Sequence, residues 1–197
     1  SGATYMDGTT DITRTYPLGP LTEDEKRFYT WTLQSHIDLA KAVWLDYCEC
    51  KMIDTIAREP LWRHLINYRC GTGHSVSFVG NVHEGPHALN SRNTTRMRPG
   101  MVVTDEPGVY ETDLVGIRIE NELVCVHKAD NQYGTFLGFE PLMFVPIATS
   151  PILPGVLDKD EIAWLNDYHR QVFAKLALHL NDEERSWLAE KCAAIGC

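Results

Sequence analysis

Two histidines close together in the sequence are the first residues whose types and spacing could do chemistry. His74 and His83 lie in the segment "GTGHSVSFVGNVHEGP", residues 71–86, where glycines interrupt alternating apolar residues. An imidazole can bind a divalent metal ion or transfer a proton near neutral pH. The pair is therefore a candidate for a metal ligand with a proton-transfer partner. The alternative is two unrelated histidines in one strand-turn-strand unit.

Acidic residues recur on predicted strands on both sides of these histidines. Side chains two residues apart share one face of a strand, which puts Asp11 between two threonines and Glu120 beside Arg118. Glu106 lies just before a Pro-Gly turn. A carboxylate inside a domain is costly unless it is paired or binds a metal, so three of them with a histidine would bind a cation. The spacing alone also allows each carboxylate to face solvent.

Helices predicted from capping boxes frame these strands. Thr22 and Glu25 form one such box, and apolar residues at helical spacing extend that helix to about residue 45. A second helix is predicted near residues 51–65. Two more boxes predict C-terminal helices, the last one ending at Gly196: Asp158 with Glu161, and Asn181 with Glu184.

Between the helical regions the sequence favours β-structure. The chain opens on a Thr- and Tyr-rich run, and residues 70–126 alternate short β-rich runs with Gly and Pro turns. This pattern predicts an antiparallel sheet covered by helices. We therefore expect an α+β fold.

Composition excludes several classes of protein. With 27 acidic and 18 basic residues among 197, the net charge is −9, which disfavours a phosphate-binding surface and a nucleic-acid partner. No apolar run approaches the roughly 18 residues of a membrane span, so no membrane association is expected. Six irregularly spaced cysteines indicate a reducing compartment, here the cytoplasm. Cys48 and Cys50 are interpreted as surface thiols.

Four stretches, taken in order, resemble one enzyme family. They are "DGTTDITRT", "GTGHSVSFVGNVHEGP", "GMVVTDEPGVY" and "GIRIENE", supported by "FEPLMFVPI" and "WLNDYH". This order is similar to the metallopeptidase family of aminopeptidase P and prolidase, and to aminopeptidase P in particular. The resemblance implies the pita-bread fold that this family shares with methionine aminopeptidase. It also implies release of the N-terminal residue from peptides with proline in second position.

The resemblance further implies a site with two metal ions. Asp11 and Glu120 correspond to the carboxylates that bridge the two metals, His74 to the single imidazole ligand and Glu106 to a terminal carboxylate ligand. A donor set of oxygens with one imidazole suits Mn²⁺, so two divalent ions, with manganese as the expected metal, are the implied cofactors. His83 corresponds to a histidine beside the metals that contacts the substrate and assists proton transfer.

Two further positions bear on the expected pocket. Arg118 is expected to hold the bridging carboxylate of Glu120 in place, the alternative being an ordinary surface cation. Cys70 stands where relatives usually have a histidine facing the substrate, so one pocket role is altered. His169, in "WLNDYH", is expected to have a structural role.

Residues 1–197 are expected to form the C-terminal portion of the catalytic domain. In the family another metal-binding aspartate precedes the bridging aspartate by eleven residues, and counting back from Asp11 leads to a position just before Ser1. We therefore expect residues 1–197 alone to bind metal poorly and to be inactive. The full-length protein would act on peptides with N-terminal X-Pro, and a homodimer is compatible with the resemblance.

Two other functions stay open at this stage. One is prolidase action on X-Pro dipeptides, which a length series of substrates would separate from aminopeptidase action. The other is a non-catalytic pita-bread domain that binds peptides or proteins. Retention of all four implied ligands favours the enzyme over the binding domain, and creatinase-like hydrolysis is disfavoured because those relatives lack the full metal set.

Overall fold

The structure is a computed structural model that describes residues 1–196. The strands are β1 (Gly2–Tyr5), β2 (Gly8–Asp11), β3 (Val43–Leu45), β4 (Gly73–His74), β5 (Ala88–Leu89), β6 (Val102–Asp105), β7 (Gly108–Glu111), β8 (Val115–Arg118), β9 (Asn121–Asn131) and β10 (Gly134–Pro141). The helices are α1 (Glu23–Ala40), α2 (Cys50–Trp62), α3 (Lys159–Leu176) and α4 (Asp182–Lys191), with a 3₁₀ turn at Ala177–His179.

The helices begin where the capping boxes predict. Thr22, Asp158 and Asn181 each accept the backbone N–H of a glutamate three residues later, and that glutamate bonds back to the cap. Each box satisfies two backbone donors that a helix start would otherwise leave unpaired. The second predicted helix is also present, as α2.

Two predicted helix ends were wrong. Helix α1 ends at Ala40 and not near residue 45, because Val43–Leu45 forms strand β3, in which Trp44 lies opposite Leu137 of β10. The bulky residue that continued the helical spacing is buried by the sheet instead. Helix α4 ends at Lys191 and not at Gly196.

The strands form one four-stranded sheet and three hairpin-like pairs. The larger sheet has the order β3-β10-β9-β6, and every pairing in it is antiparallel. The pairs are β1-β2, β4-β5 and β7-β8, also antiparallel. Single bridges join the smaller pairs to neighbouring strands, at Thr13 with Glu120 and at Ser75 with Val103. The predicted antiparallel sheet is therefore present, and it curls into several short pieces.

Two apolar clusters form most of the core. One lies between the larger sheet and helices α1 and α2, and includes Leu39, Ile53 and Leu123. The other lies between α1, strand β8 and helices α3 and α4, and includes Leu33, Ile117 and Leu165. Both clusters pack on α1, so this helix supports the strands that carry the acidic residues.

The interpretation of Cys50 as a surface thiol was wrong. Cys50 begins α2 and is fully buried in the first cluster, with Cys48 packed partly against it. Cys48, Cys50, Cys70, Cys125 and Cys192 are all free thiols. Within residues 1–196, none of the helices combines the length and the apolar composition needed to cross a membrane.

Candidate metal centre

The four residues implied as metal ligands lie at strand ends that meet at one place. Asp11 ends β2 and His74 ends β4, while Glu106 follows β6 and Glu120 falls between β8 and β9. Asp11, His74 and Glu120 each offer a ligand atom within 4.8 Å of the others. The fold therefore brings together residues separated by up to about a hundred positions in the sequence.

Backbone hydrogen bonds join the strands at this point. Glu120 donates its backbone N–H to the carbonyl of Thr13 at 3.0 Å, which connects it to the strand of Asp11. Glu106 donates its backbone N–H to the carbonyl of Thr72 at 2.8 Å, which connects it to the strand of His74. The relative positions of the carboxylates are thus set by the main chain.

The imidazole of His74 is oriented so that one nitrogen faces the carboxylates. Its Nδ1 lies 3.1 Å from the carbonyl of Ser75, where it can only donate. Its Nε2 lies 3.1 Å from Oε1 of Glu106 and 3.6 Å from Oδ2 of Asp11. A hydrogen on Nδ1 leaves Nε2 free to bind a metal, the arrangement expected of a histidine ligand.

Burial and neighbouring charge act in opposite directions on His74 and Glu106. Burial lowers the pKa of His74, but its bond to Glu106, its bond to Ser75 and the nearby negative charges together raise that pKa above its usual value. Burial raises the pKa of Glu106, but the bond to His74 and the charge of Arg118 bring it below its usual value. Without a cation, the two residues therefore behave as an ion pair.

The carboxylates of Glu120 and Glu122 accept hydrogen bonds from Thr13 and Asp11. The hydroxyl of Thr13 donates to Oε2 of Glu120, and the backbone N–H of Asp11 donates to Oε1 of Glu122 at 2.7 Å. Burial, followed by the charges of Glu106 and Asp11, raises the pKa of Glu120. Burial, with the charges of Asp11 and Glu120, raises the pKa of Glu122 to about 7. Crowded carboxylates of this kind are stabilised by a bound cation.

Arg118 holds a different carboxylate from the one expected. Its Nη1 lies 2.8 Å from Oε2 of Glu106, and the expected contact with Glu120 is not formed. The reason is that β8 ends at Arg118, which lies opposite Gly108, two residues after Glu106. The rule that alternate residues share a face applies only within one strand, and Glu120 lies beyond the end of β8.

His83 lies next to His74, in the long loop that connects β4 to β5. The segment after Ser75 is a loop up to β5, and His83 is exposed on it. Its ring centre is 4.0 Å from that of His74, with an angle of 52° between the planes. The loop thus places a second, solvent-accessible imidazole directly beside the candidate ligand.

Cys70 lies at the edge of the same site. Its thiol faces the carbonyl of Gly108 at 3.6 Å and is partly buried. The guanidinium carbon of Arg118 lies 5.6 Å from the ring centre of Tyr110, which forms the adjacent wall. A small thiol therefore stands near Arg118 at the position that the resemblance assigned to a larger histidine.

Sequence reasoning missed the residues that support the ligands from behind. Arg14 donates to the carbonyl of Glu120, to Oδ1 of Asn121 and to the hydroxyl of Tyr168. Thr104 accepts the backbone N–H of His74 at 2.9 Å and donates to Oε1 of Glu106 at 3.0 Å. Except for Thr104 and Glu106, which are two residues apart, these partners are far apart in the chain, so a local pattern could not identify them.

Comparison with known proteins agrees with this arrangement. Residues 1–127 match metallopeptidase family M24, and residues 135–195 match the C-terminal region of peptidase M24. The chain belongs to metallopeptidase family M24. Its curled antiparallel sheet with covering helices is the pita-bread fold of the M24 family, as predicted.

Curated M24 relatives resemble the chain over nearly its whole length. Aminopeptidase P1 of Lotus japonicus is 41% identical over 202 residues, which cover 100% of this chain and 30% of that protein. Aminopeptidase P2 of Arabidopsis thaliana is 45% identical over 183 residues, covering 90% of this chain and 26% of that protein. The chain thus spans under a third of the length of these relatives.

Solved structures support the same family assignment. The crystal structure of an X-prolyl aminopeptidase from Caenorhabditis elegans, described as a cytosolic enzyme with a di-nuclear active site, matches with a TM-score of 0.93 and 39% identity. The match covers 98% of this chain and 32% of that one. A prolidase from Pyrococcus furiosus matches with a TM-score of 0.60 and 29% identity over 72% of this chain and 39% of that one. The similarity to the aminopeptidase thus covers more of this chain, and with a higher TM-score, than the similarity to the prolidase.

Proposed function

We propose that this chain supplies the metal-binding part of a Xaa-Pro aminopeptidase, which releases the N-terminal residue from peptides with proline in second position. The observation that carries the proposal is the convergence of ligand atoms from Asp11, His74 and Glu120 in an M24 chain. The names of the relatives and the more complete similarity to an X-prolyl aminopeptidase support the substrate class.

The donor set fits two divalent ions. Carboxylate oxygens with one imidazole suit hard ions such as Mn²⁺, which we propose as the metal. Asp11, His74, Glu106 and Glu120 would hold these ions, since their side chains converge at one place. Ions held there would lower the pKa of water to supply a nucleophile near neutral pH and would polarise the scissile carbonyl.

The surrounding residues would prepare this donor set for binding. Arg118 would keep Glu106 ionised and oriented, since their atoms are 2.8 Å apart. Thr13 would orient Glu120 through its hydroxyl. Donors to a coordinating carboxylate fix its direction and reduce the reorganisation that binding requires.

His83 would act on the substrate. Its exposed imidazole lies tilted beside that of His74, so a peptide lying over the metals would contact it. Such an imidazole can donate a proton to the leaving nitrogen of proline. With metal-activated water as the nucleophile, the reaction would require no nucleophilic serine or cysteine.

We also propose that residues 1–197 are the C-terminal portion of a catalytic domain in a cytoplasmic protein. The match of residues 135–195 to the C-terminal region of the family and the share of the relatives covered support the first part. The free thiols and the cytosolic aminopeptidase support the second. A protein of the relatives' length is expected to be active.

The test is cleavage of matched peptides by a protein of the relatives' length. With Mn²⁺ present, Arg-Pro-Pro should be cleaved and Arg-Ala-Pro should not, and a chelator should abolish cleavage. Equal cleavage of both tripeptides, or of neither, would overturn the proposal. Cleavage of Arg-Pro but not of Arg-Pro-Pro would assign the protein to prolidase action, and metal binding without any cleavage would favour a binding domain.

A further inference from the structure

A buried ion pair on helix α2 lies behind the segment that carries His74. Asp54 and Arg58 are one turn apart and are 1% and 8% exposed, and Arg58 Nε donates to Asp54 Oδ2 at 2.8 Å. Taking both charges out of water is costly unless further hydrogen bonds satisfy the remaining donors and acceptors. The partners of those remaining atoms therefore show what the pair does.

The guanidinium of Arg58 holds the backbone that leads to His74. Its Nη1 donates to the carbonyl of Tyr68 at 2.8 Å, and its Nη2 donates to the carbonyl of Cys70 at 2.9 Å. Its central carbon also lies 4.2 Å from the ring centre of Tyr68. Two carbonyls two residues apart are thus fixed by one rigid planar group, which a flexible lysine could not reproduce.

The second oxygen of Asp54 holds the next part of the same segment. It accepts the hydroxyl of Thr72, which in turn lies against the hydroxyl of Tyr68. Thr72 is fully buried, so none of these groups can exchange its partner for water. An interaction with a charged acceptor in such a site is stronger than a surface hydrogen bond.

The backbone groups of Thr72 form hydrogen bonds with two other segments near the metal centre. Its carbonyl accepts the backbone N–H of Glu106 at 2.8 Å, and its own N–H donates to the carbonyl of Leu89 at 2.8 Å. Two residues later the chain reaches His74, whose backbone N–H bonds to Thr104. One buried threonine therefore connects α2 to the backbone of two candidate ligands, His74 on β4 and Glu106 just after β6.

We propose that Asp54, Arg58 and Thr72 are positioning residues that set the distance between His74 and Glu106 and so tune metal affinity. This inference rests on the proposed metal-dependent function, and it assigns to α2 a part in that site. The side chains of this cluster, which we call the α2 clamp, bond to one another and to the backbone of the segment before His74. The α2 clamp acts by fixing the backbone of the ligands.

Helix α2 offers an internal control for this proposal. Glu59 and Arg63 form a second pair with the same spacing, but their side chains are 47% and 62% exposed. An exposed pair of this kind contributes little and here contacts no residue of the His74 segment. Glu59→Gln should therefore change neither metal dependence nor stability appreciably.

The experiment compares Thr72→Val with Thr72→Ser in a protein of the relatives' length. Valine keeps the shape of the side chain but removes the hydroxyl that donates to Asp54, whereas serine keeps that hydroxyl. We expect Thr72→Val to raise the Mn²⁺ concentration for half-maximal cleavage of Arg-Pro-Pro by roughly 10- to 100-fold. Thr72→Ser should keep most of the wild-type affinity for Mn²⁺. Leu165→Ala, in the second core cluster, serves as a variant destabilised at a distant position.

Stability and positioning are separated by this comparison. If Leu165→Ala lowers the unfolding temperature as much as Thr72→Val but leaves the Mn²⁺ requirement unchanged, the α2 clamp is supported. If both variants shift the Mn²⁺ requirement equally, or if neither shifts it, the proposal is overturned.

A second measurement keeps the two proposals distinct. Were the wild-type protein to cleave neither tripeptide, the proposed function would fail, and amide hydrogen exchange would still test the clamp. Faster exchange of the Glu106 amide in Thr72→Val, but not in Leu165→Ala, would support it, because that amide bonds to the carbonyl of Thr72. Unchanged exchange in both would refute it.

Discussion

Replacing Gly73 by alanine should separate β4 from β6 at the metal centre. A Cβ atom built on Gly73 would lie 1.8 Å from the backbone oxygen of Thr104, while ordinary contact begins at 3.4 Å. The strands would therefore have to move apart by about 1.6 Å, the difference between these two distances. No side-chain rotation can relieve the clash, because the atom it meets belongs to the main chain.

The expected cost follows from two contributions. Overpacking of this kind costs about 1–3 kcal/mol. Separation would also break the bond from the His74 N–H to Thr104, now 2.9 Å long, and leave a partly buried donor unpaired. That loss costs about 1–3 kcal/mol more. We expect the free energy of unfolding to fall by about 2–6 kcal/mol, the sum of the two contributions. Metal affinity should fall with it, since ligand distances tolerate only about 0.2 Å.

Gly71→Ala is the matched control in the same segment. A Cβ atom there would meet the oxygen of Leu89 at 3.5 Å and Cβ of Asn90 at 3.8 Å, both ordinary contacts. Urea unfolding followed by tryptophan fluorescence, with Mn²⁺ titration of each variant, provides the assay. If Gly73→Ala were as stable as Gly71→Ala and bound Mn²⁺ equally well, the reasoning from close strand approach would be refuted.

Three further predictions concern residues around the site and the core. His83→Ala should lower turnover about 100-fold or more while leaving metal content near the wild-type value, because His83 is proposed to act on the substrate. If the variant also loses metal, His83 is a ligand or a structural residue. Arg14→Lys should lower the free energy of unfolding, measured by urea titration, by about 2–4 kcal/mol. The reason is that lysine cannot reproduce the bonds that Arg14 donates to Asn121 and Tyr168. A change below about 0.5 kcal/mol would contradict this. Burial, followed by the charge of Arg14, lowers the pKa of His169 to about 4. Between about pH 6.5 and 4 the unfolded chain therefore binds a proton that the folded chain does not. The stability of the protein falls as pH decreases through that window. Unfolding at pH 7 and pH 5 should show a loss of about 2 kcal/mol that His169→Gln removes, and an equal loss in the variant would exclude this histidine as the cause.

Local sequence determined where the helices begin. A capping box requires only two side chains three residues apart and their own backbone, so Thr22 with Glu25 is sufficient to place the start of α1. The ends were less predictable. Trp44 continues the helical spacing, but its burial against Leu137 across the sheet decides that it belongs to a strand. That contact joins residues far apart in the chain, and local spacing contains no information about it.

The candidate ligands were identified by resemblance, while the spacing of the residues left solvent exposure open. The fold decides that Asp11, His74 and Glu120 converge, because bridges between short strands bring their ends together. The structure also decides which nitrogen of His74 faces the carboxylates, through the carbonyl of Ser75. Neither fact follows from the order of residues.

Only the tertiary structure revealed the partners of the charged groups. Arg118 pairs with Glu106 because β8 ends at Arg118, and the register of β7 and β8 places it opposite Gly108. Asp54 and Arg58 could be read from the sequence as an ordinary helical pair, yet their remaining bonds reach the segment before His74. Hydrogen bonds of this kind depend on distances and angles between separate elements, and the packing of those elements sets both.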